Sequence, residues 1–181
     1  MHLLLDIGNT STNAALAGKR IHHTIPLPSS EWNNGNITAK LIRFIGRNKI
    51  DQAVICSVIP TATKTATAWL RSTKVKATIL NHNNCGLGID YPKPETIGPD
   101  RLANALSARA EFGSPVIVVD FGTAVTFDIV NQYGDYTGGI IAPGLSAMTD
   151  YLHEKTALLP KIQLRDVNSA IGKSTEQAMR I

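Results

Sequence analysis

Leu3-Leu4-Leu5-Asp6-Ile7-Gly8-Asn9-Thr10 decides the fold, because it returns as Ile117-Val118-Val119-Asp120-Phe121-Gly122-Thr123-Ala124. Each copy reads as a short apolar strand, an acidic residue, one more apolar residue, a glycine and small polar residues. A further strand candidate follows each, at residues 12–17 and 125–130. Asp6 aligns with Asp120, Gly8 with Gly122 and Thr12 with Thr126. A glycine after a strand lets the backbone turn sharply and approach a ligand closely. Exposed N–H and hydroxyl groups at such a turn cradle phosphate oxygens. A carboxylate at a strand end holds a cation directly or through water. Two such hairpins facing each other would grip a nucleoside triphosphate from both sides. The plainer alternative is two unrelated hairpins with turn-forming Asp and Gly. It does not account for each copy heading a three-stranded block.

Outward from the first copy, Gly18-Lys19 makes a turn into a strand at 20–27. Ile37, Leu41, Ile42, Phe44 and Ile45 repeat with helical period and predict a helix over 36–48. A strand at 53–58 precedes Pro60, which opens a second helix, and residues 76–80 form another strand. Residues 81–98 are loop-rich, and a third helix around Leu102, Leu106 and Ala110 ends near Gly113. Then the pattern restarts, with strands at 115–119, 125–130 and 137–142, a break at Pro143-Gly144, and helices at 145–155 and 170–180. The restart predicts an α/β chain of two domains, 1–113 and 114–181.

Composition agrees with a packed core: of 181 residues, 43% are apolar and 18% charged. No apolar run approaches the ~18 residues of a membrane span. The N-terminus lacks the basic and apolar regions of a signal peptide. Cys56 and Cys85 fit a reduced cytosolic compartment, and no Cys/His cluster points to structural zinc. The net charge of +4 is spread along the chain rather than interleaved with aromatics, so nucleic acid is not an expected partner. Trp32 and Trp69 read as packing residues, and the histidines as structural or exposed. Asp128, Asp135 and Asp150 read most simply as surface or turn residues, with Asp128 also close in sequence to the second glycine turn.

Two segments imitate nucleotide loops. Gly172-Lys173-Ser174-Thr175 ends like a Walker A motif, but Val167 stands where its first glycine belongs. Gly86-Leu87-Gly88 begins like a dinucleotide fingerprint, but Tyr91 occupies the third glycine position. Neither is a nucleotide loop of those types.

The acceptor side of a phosphoryl transfer needs a carboxylate near the attacking hydroxyl and a donor for an anionic substrate. Gly98-Pro99-Asp100-Arg101, at the start of the third helix, could supply both; a helix N-cap Asp beside an exposed Arg is the alternative. Together with Asp6–Thr10, Asp120–Ala124 and Gly138-Gly139-Ile140-Ile141-Ala142-Pro143-Gly144, this segment resembles type III pantothenate kinase over the whole chain.

The resemblance implies two actin-like (ribonuclease H-like) ATPase domains with mixed sheets flanked by helices, the second expected to be truncated. It implies ATP-dependent phosphorylation of pantothenate to 4′-phosphopantothenate, the first step of coenzyme A biosynthesis. Also implied are a cytoplasmic homodimer, Mg2+ or another divalent cation with the nucleotide, and K+ or NH4+. Carried over, Asp6, Ile7, Gly8, Asn9, Thr10, Ser11, Thr12 and Asn13 form the first phosphate loop, and Thr123 reaches the nucleotide. Asp100 is the general base, and Asp120 helps hold the monovalent cation. Tyr91, Gly98, Pro99, Asp100, Arg101 and Thr175 contact pantothenate, with Arg101 on its carboxylate. Rival readings are another small-molecule kinase of the same fold, or a non-catalytic accessory relative.

Overall fold

A computed structural model describes residues 1–180. The first sheet holds β1 (His2–Ile7), β2 (Ser11–Ala17), β3 (Ile21–Pro28), β4 (Gln52–Ser57) and β5 (Lys76–Ile79), in the order β3-β2-β1-β4-β5. The first three strands form an antiparallel meander, and β4 and β5 run parallel to β1. Alternation along the strands explains the packing. Leu3, Leu5 and Ile7 of β1 and Thr12, Ala14 and Leu16 of β2 point into one core. There they meet Ile37 and Leu41 of α1 (Asn36–Ile45) and Ala62, Ala66 and Leu70 of α2 (Pro60–Ser72). The predicted helix over 36–48 stops at Ile45 because Gly46 takes a positive φ of 58°.

The second sheet has the order β6-β9-β8-β7, from β6 (Gly88–Ile89), β7 (Val116–Phe121), β8 (Ala124–Val130) and β9 (Asp135–Pro143). β7, β8 and β9 repeat the antiparallel meander of β1, β2 and β3. Helix α3 (Pro99–Phe112) covers one face, where Leu102 and Ala105 pack with Cys85, Leu87, Ile97, Val130 and Tyr136. β6 was not predicted: two residues of the loop-rich stretch add in parallel to β9. The 113/114 division separates the two meanders in sequence. The second core nevertheless recruits Cys85, Leu87, Ile97 and α3 from before it.

On β7 and β9, Ile117, Val119, Phe121 and Ile140 are exposed, and β7 is an edge strand among the described residues. Helix α4 (Leu145–Lys155) follows β9 as expected, while the helix predicted over 170–180 shrinks to α5 (Thr175–Ala178). No helix among the described residues is long and apolar enough to cross a membrane.

Candidate active site

The two repeats end as sister turns. Gly8 N–H donates to the Ser11 carbonyl and Gly122 N–H to the Ala124 carbonyl, each at 2.9 Å. The glycine amides therefore close the turns instead of pointing at a ligand, which corrects one part of the phosphate-cradle expectation. At the tips, the Thr10 and Thr123 hydroxyls lie 3.3 Å apart.

A buried network shapes the first turn from behind. Thr12 is fully buried, and its Oγ1 accepts from Trp32 Nε1 at 3.0 Å and meets Ser29 Oγ at 2.9 Å. Ser29 Oγ donates in turn to the Gly8 carbonyl at 2.6 Å. Behind the second turn, Gly144 lies so close to the Gly122 and Thr123 carbonyls that no side chain could be placed there. That contact explains the glycine ending the 138–144 segment.

A cleft of about 620 Å³ opens between the turns. Asp6, Gly8, Asn9 and Ser11 line one wall, and Asp120, Gly122, Thr123 and Thr126 the other. Asp100, Ala103, Asn104 and Ser107 of α3 also line it. Asp100 sits in the first turn of α3, where the helix N-terminus favours a negative charge, and its Oδ1 accepts the Arg101 N–H at 2.9 Å. Asn104, one turn on, donates to Asp120 Oδ2 at 2.9 Å.

Burial raises the Asp6 carboxyl above its usual range; the neighbouring Asn13 side chain opposes this, and the charges of Asp100 and Asp120 add to it. Cys56 pairs with Asp6 across β1 and β4 and also lines the cleft. Burial first, then Asp6 and Asp100, push its thiol up to about 12, so it stays protonated. Nothing in the sequence had marked Cys56 as a cleft residue. Among the described residues no three His, Cys, Asp or Glu gather as a metal cage. One or two carboxylates plus phosphate oxygens and water do suit Mg2+, which keeps several of its waters.

The other predicted residues divide. Ile7 and Thr12 point into the first core, so they support the turn and do not line the cleft. Gly98 and Pro99 face a neighbouring cavity of about 780 Å³ beside α2. Tyr91 packs edge-to-face on Tyr136 with ring centroids 6.3 Å apart. Thr175 is exposed at the start of α5, outside the cleft lining. Asp128 is a correction: it is completely buried, not a surface residue. A charge survives there because Arg101 of α3 stands opposite, with Nε 2.7 Å from Asp128 Oδ1.

A sequence profile of the type III pantothenate kinase family matches residues 2–181. The type III pantothenate kinase of Akkermansia muciniphila is 40% identical over 181 residues, covering 99% of this chain and 72% of that protein. That of Methylacidiphilum infernorum is 38% identical over 184 residues, covering 99% of this chain and 64% of that protein. Among solved structures, a Campylobacter jejuni protein assigned to the Baf family of transcriptional activators superposes with a TM-score of 0.61 at 21% identity. The match covers 98% of this chain and 71% of that one. A Sinorhizobium meliloti protein assigned as a 2-dehydro-3-deoxygalactonokinase gives 0.56 at 15% identity, covering 87% of this chain and 58% of that one. These structures speak for the fold alone, and the fold is the expected actin-like one, with mixed sheets flanked by helices. On the profile and the relatives together, the chain belongs to the type III pantothenate kinase family.

Proposed function

We propose that this chain phosphorylates pantothenate with ATP, giving 4′-phosphopantothenate and ADP. The observation that carries the reading is the meeting of Asp6, Asp100 and Asp120 in one cleft between the sister turns. The triphosphate lies between the turns, against the Thr10 and Thr123 hydroxyls. The substrate's primary hydroxyl attacks the γ-phosphorus, the bond to ADP breaks, and Asp100 accepts the hydroxyl proton. Asp6 holds the divalent ion that accompanies ATP; a bound divalent ion there offsets phosphate charge. Asp120, oriented by Asn104, holds K+ or NH4+. Arg101 and Tyr91 meet the acceptor, with Arg101 on its carboxylate. A cytoplasmic homodimer is part of the same reading.

The reading is tested by incubating the protein with ATP, Mg2+ and K+ plus pantothenate or a panel of sugars. Phosphopantothenate is the expected product, and phosphorylation of a sugar in preference to pantothenate contradicts the reading.

A further inference from the structure

Asp128 is a buried carboxylate that the phosphate chemistry leaves unused. It lies on the face of β8 covered by α3, with 0% of its surface exposed. Its Oδ1 accepts from Arg101 Nε at 2.7 Å and from the Tyr136 hydroxyl at 2.8 Å, and its Oδ2 from Thr126 at 3.4 Å. A buried charge is tolerated only when it is paired and hydrogen-bonded, and here both conditions hold.

The backbone makes room for the pair. Gly139 stands opposite Asp128 in the β8–β9 register, and any side chain there would collide with the Phe127 carbonyl and the Arg101 guanidinium. Arg101 Nη2 donates to that same carbonyl at 3.4 Å, and the guanidinium carbon lies 5.9 Å from the Tyr136 ring centroid. Nε and Nη2 are thus committed, while Nη1 has no protein acceptor among the described residues. Tyr136 is the ring against which Tyr91 rests.

We propose that Asp128 is a positioning residue for Arg101: without touching substrate, it fixes the guanidinium that the proposed function assigns to the acceptor's carboxylate. This rests on the assignment of Arg101 to the pantothenate carboxylate. An arginine ordered in advance loses less rotamer freedom when the ligand arrives. Because the Arg101–Asp128 pair is neutral overall, it offers the ligand directed N–H donors instead of net charge.

Calorimetric titration tests this without requiring turnover. The intact protein, loaded with a non-hydrolysable ATP analogue, is titrated with pantothenate and with pantothenyl alcohol, which carries a hydroxymethyl group in place of the carboxylate. Wild type is expected to favour the acid by about 10-fold or more, as a charge-assisted hydrogen bond allows. Asp128→Asn, nearly isosteric, is expected to bring that ratio within about threefold of unity, with affinity for the nucleotide analogue unchanged. Tyr136→Phe keeps the ion pair and is expected to keep the ratio, so it still tests the idea if Asp128→Asn does not fold. A ratio undiminished in Asp128→Asn, or lost in Tyr136→Phe, overturns the positioning role. A ratio undiminished in Arg101→Ala overturns instead the carboxylate assignment on which the role rests.

Discussion

The Thr10 and Thr123 hydroxyls, 113 positions apart in the chain, lie within 3.3 Å of each other at the tips of the sister turns. The contact joins the first sheet to the second across the cleft. A neutral hydrogen bond contributes about 0.5–1.5 kcal/mol at most in an exposed setting. A double-mutant cycle with Thr10→Ala and Thr123→Ala is therefore expected to show a coupling of about 1 kcal/mol or less in urea unfolding. Each single variant is expected to weaken ATP binding more than it weakens the fold. Equal ATP affinity in wild type and both variants would mean that the tips do not touch nucleotide.

Thr12 supports the first turn from inside. Thr12→Val keeps the shape but leaves Trp32 Nε1 without its acceptor and removes one contact from Ser29. The expected loss is about 1–3 kcal/mol, the cost of an unsatisfied buried donor. Chemical denaturation reads it directly. A loss below a few tenths of a kcal/mol would show that the network does not hold the turn.

Asp6 links pH to stability. Its folded pKa is raised, chiefly by burial, so its ionised form is disfavoured in the native state. The contribution is fully present below the ordinary value of 3.8 and is lost as pH rises through the higher folded value. Asp6→Asn is therefore expected to raise Tm near neutral pH, with the gain disappearing below pH 3.8, while stabilisation by Mg2+ and ATP disappears. A variant with lower Tm than wild type at pH 7 contradicts the burial argument.

Cys56 reports on the same field. With its thiol pushed up to about 12, alkylation by iodoacetamide near pH 8 is expected to be about 100-fold or more slower than for a free thiol. Removing a neighbouring charge with Asp6→Asn should speed it. Mass mapping of the modified cysteine distinguishes Cys56 from the buried Cys85.

Much of this molecule was legible in its sequence because the same strand-Asp-apolar-Gly pattern occurs twice, and alternation along β1 and β2 fixes which side faces the core. Asp6 and Asp120 followed from that repeat, and Asp100 from the Gly98-Pro99-Asp100-Arg101 segment at the start of α3. Asp128 did not follow. A lone Asp in a strand reads as solvent-facing, and the partner that permits its burial, Arg101, lies 27 positions upstream on another element. β6 escaped notice because two residues carry no period; only the edge of β9 makes them a strand. The supports of the first turn were hidden for a similar reason. Thr12 looks like a phosphate ligand until β2 turns it inward onto Trp32 and Ser29.

The most direct test of the central claim compares wild type with Asp100→Asn by single-turnover transfer from γ-labelled ATP to pantothenate, with nucleotide and pantothenate binding measured in parallel. A cleft in which Asp100 takes the hydroxyl proton predicts transfer slowed by about 100-fold or more in the variant, with both ligands still bound. Transfer at the wild-type rate by Asp100→Asn would contradict it.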